Sequence, residues 1–322
     1  MIRVKIGAAL AACVLFWSVA GDARASQDIP DQYPASVLYS KPVEFIPGVF
    51  SAIGATAPPS YENSGHNNNL SFIVTGDGVV VVNGGASWQL AAALHEEIKA
   101  VTDQPVRLIV NENGQGHAML GNSYWHSLGV NIVASEEAAE EFEATGYDSL
   151  EAARRLQKEK AEKTTVVMPD ETFAERYVVE FGDFPIEVLN LGPAHAPGDV
   201  SVWLPRQSLV IAGDMAFHER MLPIFEETDT AAWLESWDAG FEPLKATYVI
   251  PGHGHPTNMD QVRRYTKDYL VYLRARIREH LDKGGTLADA YYVDQSPYRH
   301  LDTFEELATK NAGRVFAQME FE

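Results

Sequence analysis

Along this chain, short apolar runs alternate with stretches of helical spacing. Leu70-Ser71-Phe72-Ile73-Val74 and Val79-Val80-Val81-Val82 are β-rich, and Gly76-Asp77-Gly78 between them is a turn signal, so the pair predicts a hairpin. Trp88 to Val101 spaces Leu90, Leu94 and Ile98 four residues apart, the repeat of one helix face, and Val106 to Val110 is a run suited to a buried strand. Residues 135–163 are rich in Glu, Ala, Lys and Arg, which predicts exposed helices on either side of a break at Gly146. Strands are expected again at 177–181, 186–191, 200–204, 208–211 and 247–250, followed by closing helices at 259–282 and 303–318. Strands followed by helices, twice over, fit an α/β architecture of two sheets between helical layers.

Composition leaves that picture in place. The chain has 322 residues and is 46% hydrophobic, enough for one large core, and no Pro/Gly/Ser linker or repeat divides it. The first 25 residues read differently. Arg3 and Lys5 precede an apolar run over 6–20, and Ala23-Arg24-Ala25 is a small-x-small cleavage site before Ser26. This pattern predicts a signal peptide cut near Ala25 and a periplasmic or secreted mature protein of one domain, 26–322. A competing pattern, Leu10-Ala11-Ala12-Cys13, resembles a lipoprotein box, but Val14-Leu15-Phe16-Trp17 continues the apolar run where a lipoprotein turns polar. Cys13 is the only cysteine, so after the ordinary cut no thiolate ligand, nucleophile or disulfide remains.

Charge excludes further classes. The net charge of -20 repels phosphate backbones and anionic membranes, so nucleic acid is not an expected partner. No later stretch approaches the roughly 20 apolar residues of a membrane-spanning helix. A Gly-x-Ser-x-Gly elbow is absent, as are nucleotide-binding glycine loops, which removes those serine-hydrolase and nucleotide readings.

Five landmarks carry a resemblance from about 43 to 257. They are Val80 to Gly85 at a strand end, the loop from Asn111 to Asn122, the segment from Gly192 to Asp199 around His195, Gly213-Asp214, and Ile250-Pro251-Gly252-His253-Gly254. In this order and at these spacings the chain resembles the metallo-β-lactamase superfamily, which implies a four-layer αββα sandwich, here with helices added at the C-terminal end. The leader, the segment 213–220 and the ending 311–316 are similar to periplasmic members associated with sulfur oxidation or quinoprotein dehydrogenases.

The resemblance also implies a site. In the family a His-x-His-x-Asp-His loop, helped by a later His, a bridging Asp and a final His, holds two metals, usually zinc. Aligned on Gly121-Asn122, the corresponding positions here read Asn113-Gly114-Gln115-Gly116-His117-Ala118, and Asn83 stands where the family's strand end carries a carboxylate. His195, Asp214 and His253 occupy the later ligand positions. The first metal position would be left with Asn113, Gln115 and His195, and neutral amides are poor zinc ligands. The second would have His117, Asp214 and His253, with His195 nearby, a set that suits one zinc or iron ion. A shift of one residue would instead put His117 in place of the loop's last His.

Two functional readings stay open. One is a catalytically silent module binding a small molecule or a periplasmic protein, with no metal, and this is preferred on the lost ligands. The other is a single-metal hydrolase of ester, thioester or amide bonds, with two-zinc β-lactam hydrolysis disfavoured. His66, in a loop of Ser, Gly and Asn residues, is an additional candidate for substrate contact, although a structural turn role is favoured for it. The sequence names no catalytic residue.

Overall fold

A computed structural model describes residues 33, 36–183 and 185–322. The expected leader and Cys13 lie outside the described residues.

Two sheets face one another. The first contains β1 (Val43–Ile46), β2 (Val49–Ala52), β3 (Leu70–Val74), β4 (Val79–Val82), β5 (Val106–Val110), β6 (Asn131–Ser135) and β7 (Glu171–Phe173), hydrogen-bonded in that order. β1 to β4 form an antiparallel meander, and β4 to β7 run parallel. The parallel half needs crossovers, which α1 (Trp88–Val101), the short α2 (Gly116–Met119), α3 (Asn122–Ser127) and α4 (Glu136–Gln157) provide. The second sheet follows: β8 (Arg176–Val179), β9 (Ile186–Asn190), β10 (Val200–Leu204), β11 (Leu209–Phe217) and β12 (Tyr248–His253). Its last pair, β11 and β12, is parallel and joined through α5 (Thr230–Ser236).

Side-chain alternation explains the layers. On β4, Val80 and Val82 join Val188, Val200, Ile211 and Ile250 in the core between the sheets, whereas Val79 and Val81 pack with Leu90, Leu94 and Ile98 of α1. All four valines are buried, each worth about 1.5–3 kcal/mol of burial. β11 does the same: Leu209 and Ile211 face the other sheet, while Val210 and Ala212 meet an outer layer of α5, α6 (Met259–Tyr265), α7 (Lys267–Asp282), α8 (Leu287–Ala290) and α9 (Phe304–Met319). The result is the expected αββα sandwich with a C-terminal helical extension.

Three expectations need correction. Gly146 does not break a helix, because α4 runs through it. Gly146 is buried, and a Cβ there would sit 3.1 Å from Phe142 and 3.2 Å from Val166, so it marks close packing. The stretch 259–282 is two helices, divided at Thr266, whose hydroxyl accepts the backbone N–H of Phe217 at 2.9 Å. β1, β2, β6 and β7 were not anticipated as strands; β1 and β7 are short edge strands with weak patterning.

Candidate metal centre

The site forms where the C-terminal ends of the inner strands meet. Asn83 follows β4, Glu112 follows β5, His117 lies in α2, His195 lies between β9 and β10, Asp214 is in β11 and His253 ends β12. Two glycines permit the crowding. A Cβ on Gly213 would come 2.6 Å from Glu112 Oε2, and one on Gly252 would come 2.3 Å from Asp214 Oδ1.

Asp214 is the hub. Its Oδ1 lies 3.3 Å from His253 Nε2, and its Oδ2 lies 3.6 Å from His195 Nδ1 and 3.7 Å from His117 Nε2. His117 Nε2 is also 3.3 Å from Glu112 Oε1. Ligand atoms of Glu112, His117 and Asp214 all fall within 4.8 Å of one another, the spacing of donors that could share one ion. The four residues expected as ligands, His117, His195, Asp214 and His253, are thus together, and Glu112 joins them. Sequence reasoning passed over Glu112 because it precedes the motif window. The signal that could have found it is a carboxylate two residues beyond the buried strand β5, at the head of the ligand loop.

The family's first metal position is occupied by amides in a different role. Asn113 donates its Nδ2 to Asp199 Oδ1 at 3.0 Å and to Asp214 Oδ2 at 3.3 Å, while its Oδ1 accepts the Gln115 backbone N–H at 3.1 Å. Gln115 Nε2 lies 3.2 Å from His195 Nδ1. Both side chains offer hydrogens where a metal needs lone pairs, so this position does not fit an ion.

The second position does fit. Asp214 Oδ1 is buried without a hydrogen-bond partner among the described residues. The neighbouring His253 donates Nδ1–H to the Asn67 carbonyl, which turns the Nε2 lone pair toward that carboxylate. A neutral imidazole fixed through Nδ1 to a backbone carbonyl and presenting Nε2 is the usual arrangement of a metal ligand.

The electrostatics also call for a cation. Glu112, Asp199 and Asp214 are each 2% exposed or less. Burial, with the charge of Asp214 added, raises the carboxyls of Glu112 and Asp199, the latter strongly. Asp214 resists the same burial because His253, His117 and His195 face it, and its pKa lies below the usual carboxylate range. Burial opposes charge on His117 as well, but Glu112 and Asp214 outweigh it and raise the ring. Burial lowers His253, and it takes His195 down to about 4, so both rings are neutral near neutral pH. Three buried carboxylates face neutral His195 and His253, a raised His117 and the buried Arg220 beside His253, a set whose remaining negative charge a divalent ion or protons would balance.

The remaining candidates are placed as follows. Asn83, at φ 72°, accepts the Glu112 backbone N–H through Oδ1 at 3.1 Å and so positions the residue after β5. Ala118 is fully buried in the core against α4 and does not face the site. His66 is 0% exposed, and its Nδ1 accepts the Tyr39 N–H at 2.9 Å. Its ring ties the loop to the preceding segment, which closes it to a molecule arriving from solvent.

A cavity of about 350 Å³ opens beside the centre, with Gln115 and His117 in its wall. Glu141, on α4, also lines it, and burial together with the charge of Glu227 raises the Glu141 carboxyl to about 7.

Comparison with known proteins bears on the fold and the family. Residues 117–255 match the family model of the metallo-β-lactamase superfamily. A curated relative, the metallo-β-lactamase type 2 of Bacteroides fragilis, is 29% identical over 99 residues, 29% of this chain. That match spans 39% of the relative's length, well under two thirds of it. Among solved structures, a metallo-β-lactamase from Pontibacter korlensis superposes with a TM-score of 0.56 at 20% identity, covering 69% of this chain and 94% of the other. The stereoselective inverting sec-alkylsulfatase Pisa1 from Pseudomonas sp. superposes with a TM-score of 0.69 at 18% identity, covering 87% of this chain and 50% of that one. At these identities the structural likenesses speak for the fold. The family-model match and the fold support the metallo-β-lactamase superfamily for this chain.

Proposed function

We propose that this chain is a hydrolase using one divalent ion at the second metal position, held by Glu112, His117 and Asp214 with His253 alongside, and acting on an ester, thioester or amide bond. The observation that carries this reading is Glu112: with it, the substituted loop still delivers two buried carboxylates and an imidazole within 4.8 Å. It moves the balance away from the silent module that the lost ligands alone favoured.

Bound there, zinc or iron would supply Lewis acidity toward the scissile carbonyl and acidify a water. The chain's own residues do the rest. Asn67 fixes His253 through its carbonyl, and Asn113 holds Asp214 and Asp199 in place. With Gln115 on Nδ1, His195 keeps its proton on Nε2, which has no hydrogen-bond partner among the described residues and can donate to an oxygen on which charge develops. The amides at 113 and 115 argue against a second ion, and therefore against two-zinc β-lactam hydrolysis.

Elemental analysis of the purified protein tests the proposal. About one equivalent of zinc or iron is expected, reduced in Glu112→Gln, His117→Ala and His253→Ala variants that remain folded. A folded protein without stoichiometric metal would overturn it and return the silent binding module to first place.

A further inference from the structure

The cavity beside His117 has a one-sided chemistry. Its acidic lining side chains are Glu141 and Glu227, His117 is its one basic side chain, and no Lys or Arg lines it. Glu141 Oε2 and Gln157 Oε1 are buried with no hydrogen-bond partner among the described residues, and Gln157 is only 3% exposed. A buried acceptor without a donor costs about 1–3 kcal/mol, so this wall is short of hydrogen-bond donors that a ligand could bring.

Nearby cations are committed elsewhere. Lys160 Nζ donates to the Tyr61 carbonyl and the Ser64 hydroxyl, and Arg314 pairs with Glu226, outside the cavity. The rim is apolar, since Phe225 is 40% exposed and its ring can cover the body of a ligand or meet a cation face-on. An anionic ligand here would meet the Glu227 and Glu141 carboxyls, with His117 the one lining side chain that can carry positive charge.

We propose that this cavity binds a small organic cation, an ammonium or amidinium group on an apolar body, and that the substrate carries such a group. Only the second clause rests on the hydrolase reading; the binding itself needs no turnover. Glu227 and Glu141 provide the charge, Gln157 the neutral acceptor and Phe225 the apolar cover.

Isothermal titration of the full mature protein with benzylamine, benzamidine, benzyl alcohol and benzoate tests this directly. The two cations should bind at least about tenfold more tightly than the alcohol or benzoate, and added salt should narrow the difference. Glu227→Gln, an exposed change that leaves the core alone, and Glu141→Gln should each weaken benzylamine several-fold. Glu143→Gln, an exposed change on α4 outside the cavity lining, should leave binding unchanged. Benzoate binding as well as benzylamine, no binding of any probe by folded protein, or equal effects of the Glu143 and Glu227 changes would overturn the proposal. Metal content, measured on the same samples, keeps the two ideas apart: cation binding without stoichiometric metal sinks the hydrolase reading alone, and metal without cation preference sinks this one alone.

Discussion

Asn113 shows how one residue can close a metal position while preserving the architecture around it. Its amide nitrogen lies between Asp199 and Asp214, both 1% exposed, and its oxygen caps the backbone of Gln115. Asn113→Ala would leave two buried carboxylates without their shared donor. The expected loss is about 2–4 kcal/mol in urea unfolding, with metal stoichiometry unchanged because Asn113 donates no lone pair to the ion. A loss of metal in that variant would mean that Asn113 takes part in binding. The resemblance to the family's motifs was what named Asn113, Gln115, His117, His195, Asp214 and His253, since each sits at a strand end or in a loop that the motif order places together. Glu112 was illegible for the opposite reason. Its importance comes from the close approach of β5 and β11 across Gly213, a contact between distant parts of the chain that no local pattern records. His66 sits among polar neighbours typical of a surface loop, while its ring accepts the Tyr39 backbone N–H inside the protein.

At the level of elements, strong periodicity was read well and weak propensity was not. The 88–101 helix and the 106–110 and 200–204 strands follow from apolar spacing, whereas Gly146 was overweighted: a glycine costs a helix about 1 kcal/mol, less than the packing of Phe142 and Val166 against it returns. The same helix α4 carries Glu141, and this makes its stability pH-dependent. The folded-state pKa of about 7 stands above the ordinary 4.5, so between these values the folded protein holds the proton more tightly than the unfolded chain. The contribution is fully present below about pH 4.5 and is lost as pH rises through 7. Glu141→Gln, which mimics the protonated group, should therefore match the parent near pH 5 and exceed it by about 2 kcal/mol at pH 8 in paired urea titrations. An equal difference at both pH values would show that Glu141 is not held near neutrality by its surroundings.

Across the whole molecule, the C-terminal extension acts on the site as well as covering the second sheet. The stretch 222–230 carries Phe225 and Glu227 to the cavity, and Thr228 donates to the His195 carbonyl at 2.7 Å. α9 straps this stretch down at three points. Asn311 accepts the Ile224 N–H at 2.9 Å and donates to the Leu222 carbonyl at 2.8 Å, Arg314 pairs with Glu226, and Gln318 donates to the Thr228 carbonyl while accepting the Thr230 hydroxyl at 2.8 Å. The metal residues, by contrast, are held by strand ends and by Asn67, Asn83 and Asn113, none of which touches α9 through these bonds. Loosening the strap should therefore affect the cavity more than the ion. Gln318→Ala, at a half-buried position, is expected to cost about 1–2 kcal/mol of stability, to weaken benzylamine binding several-fold, and to leave metal content at the parent level. Calorimetric titration and elemental analysis on one preparation separate the effects. If metal falls together with amine binding, α9 braces the entire centre and the division between a strand-held ion and a helix-held cavity wall is wrong; if only amine binding falls, the added helices shape what this protein accepts.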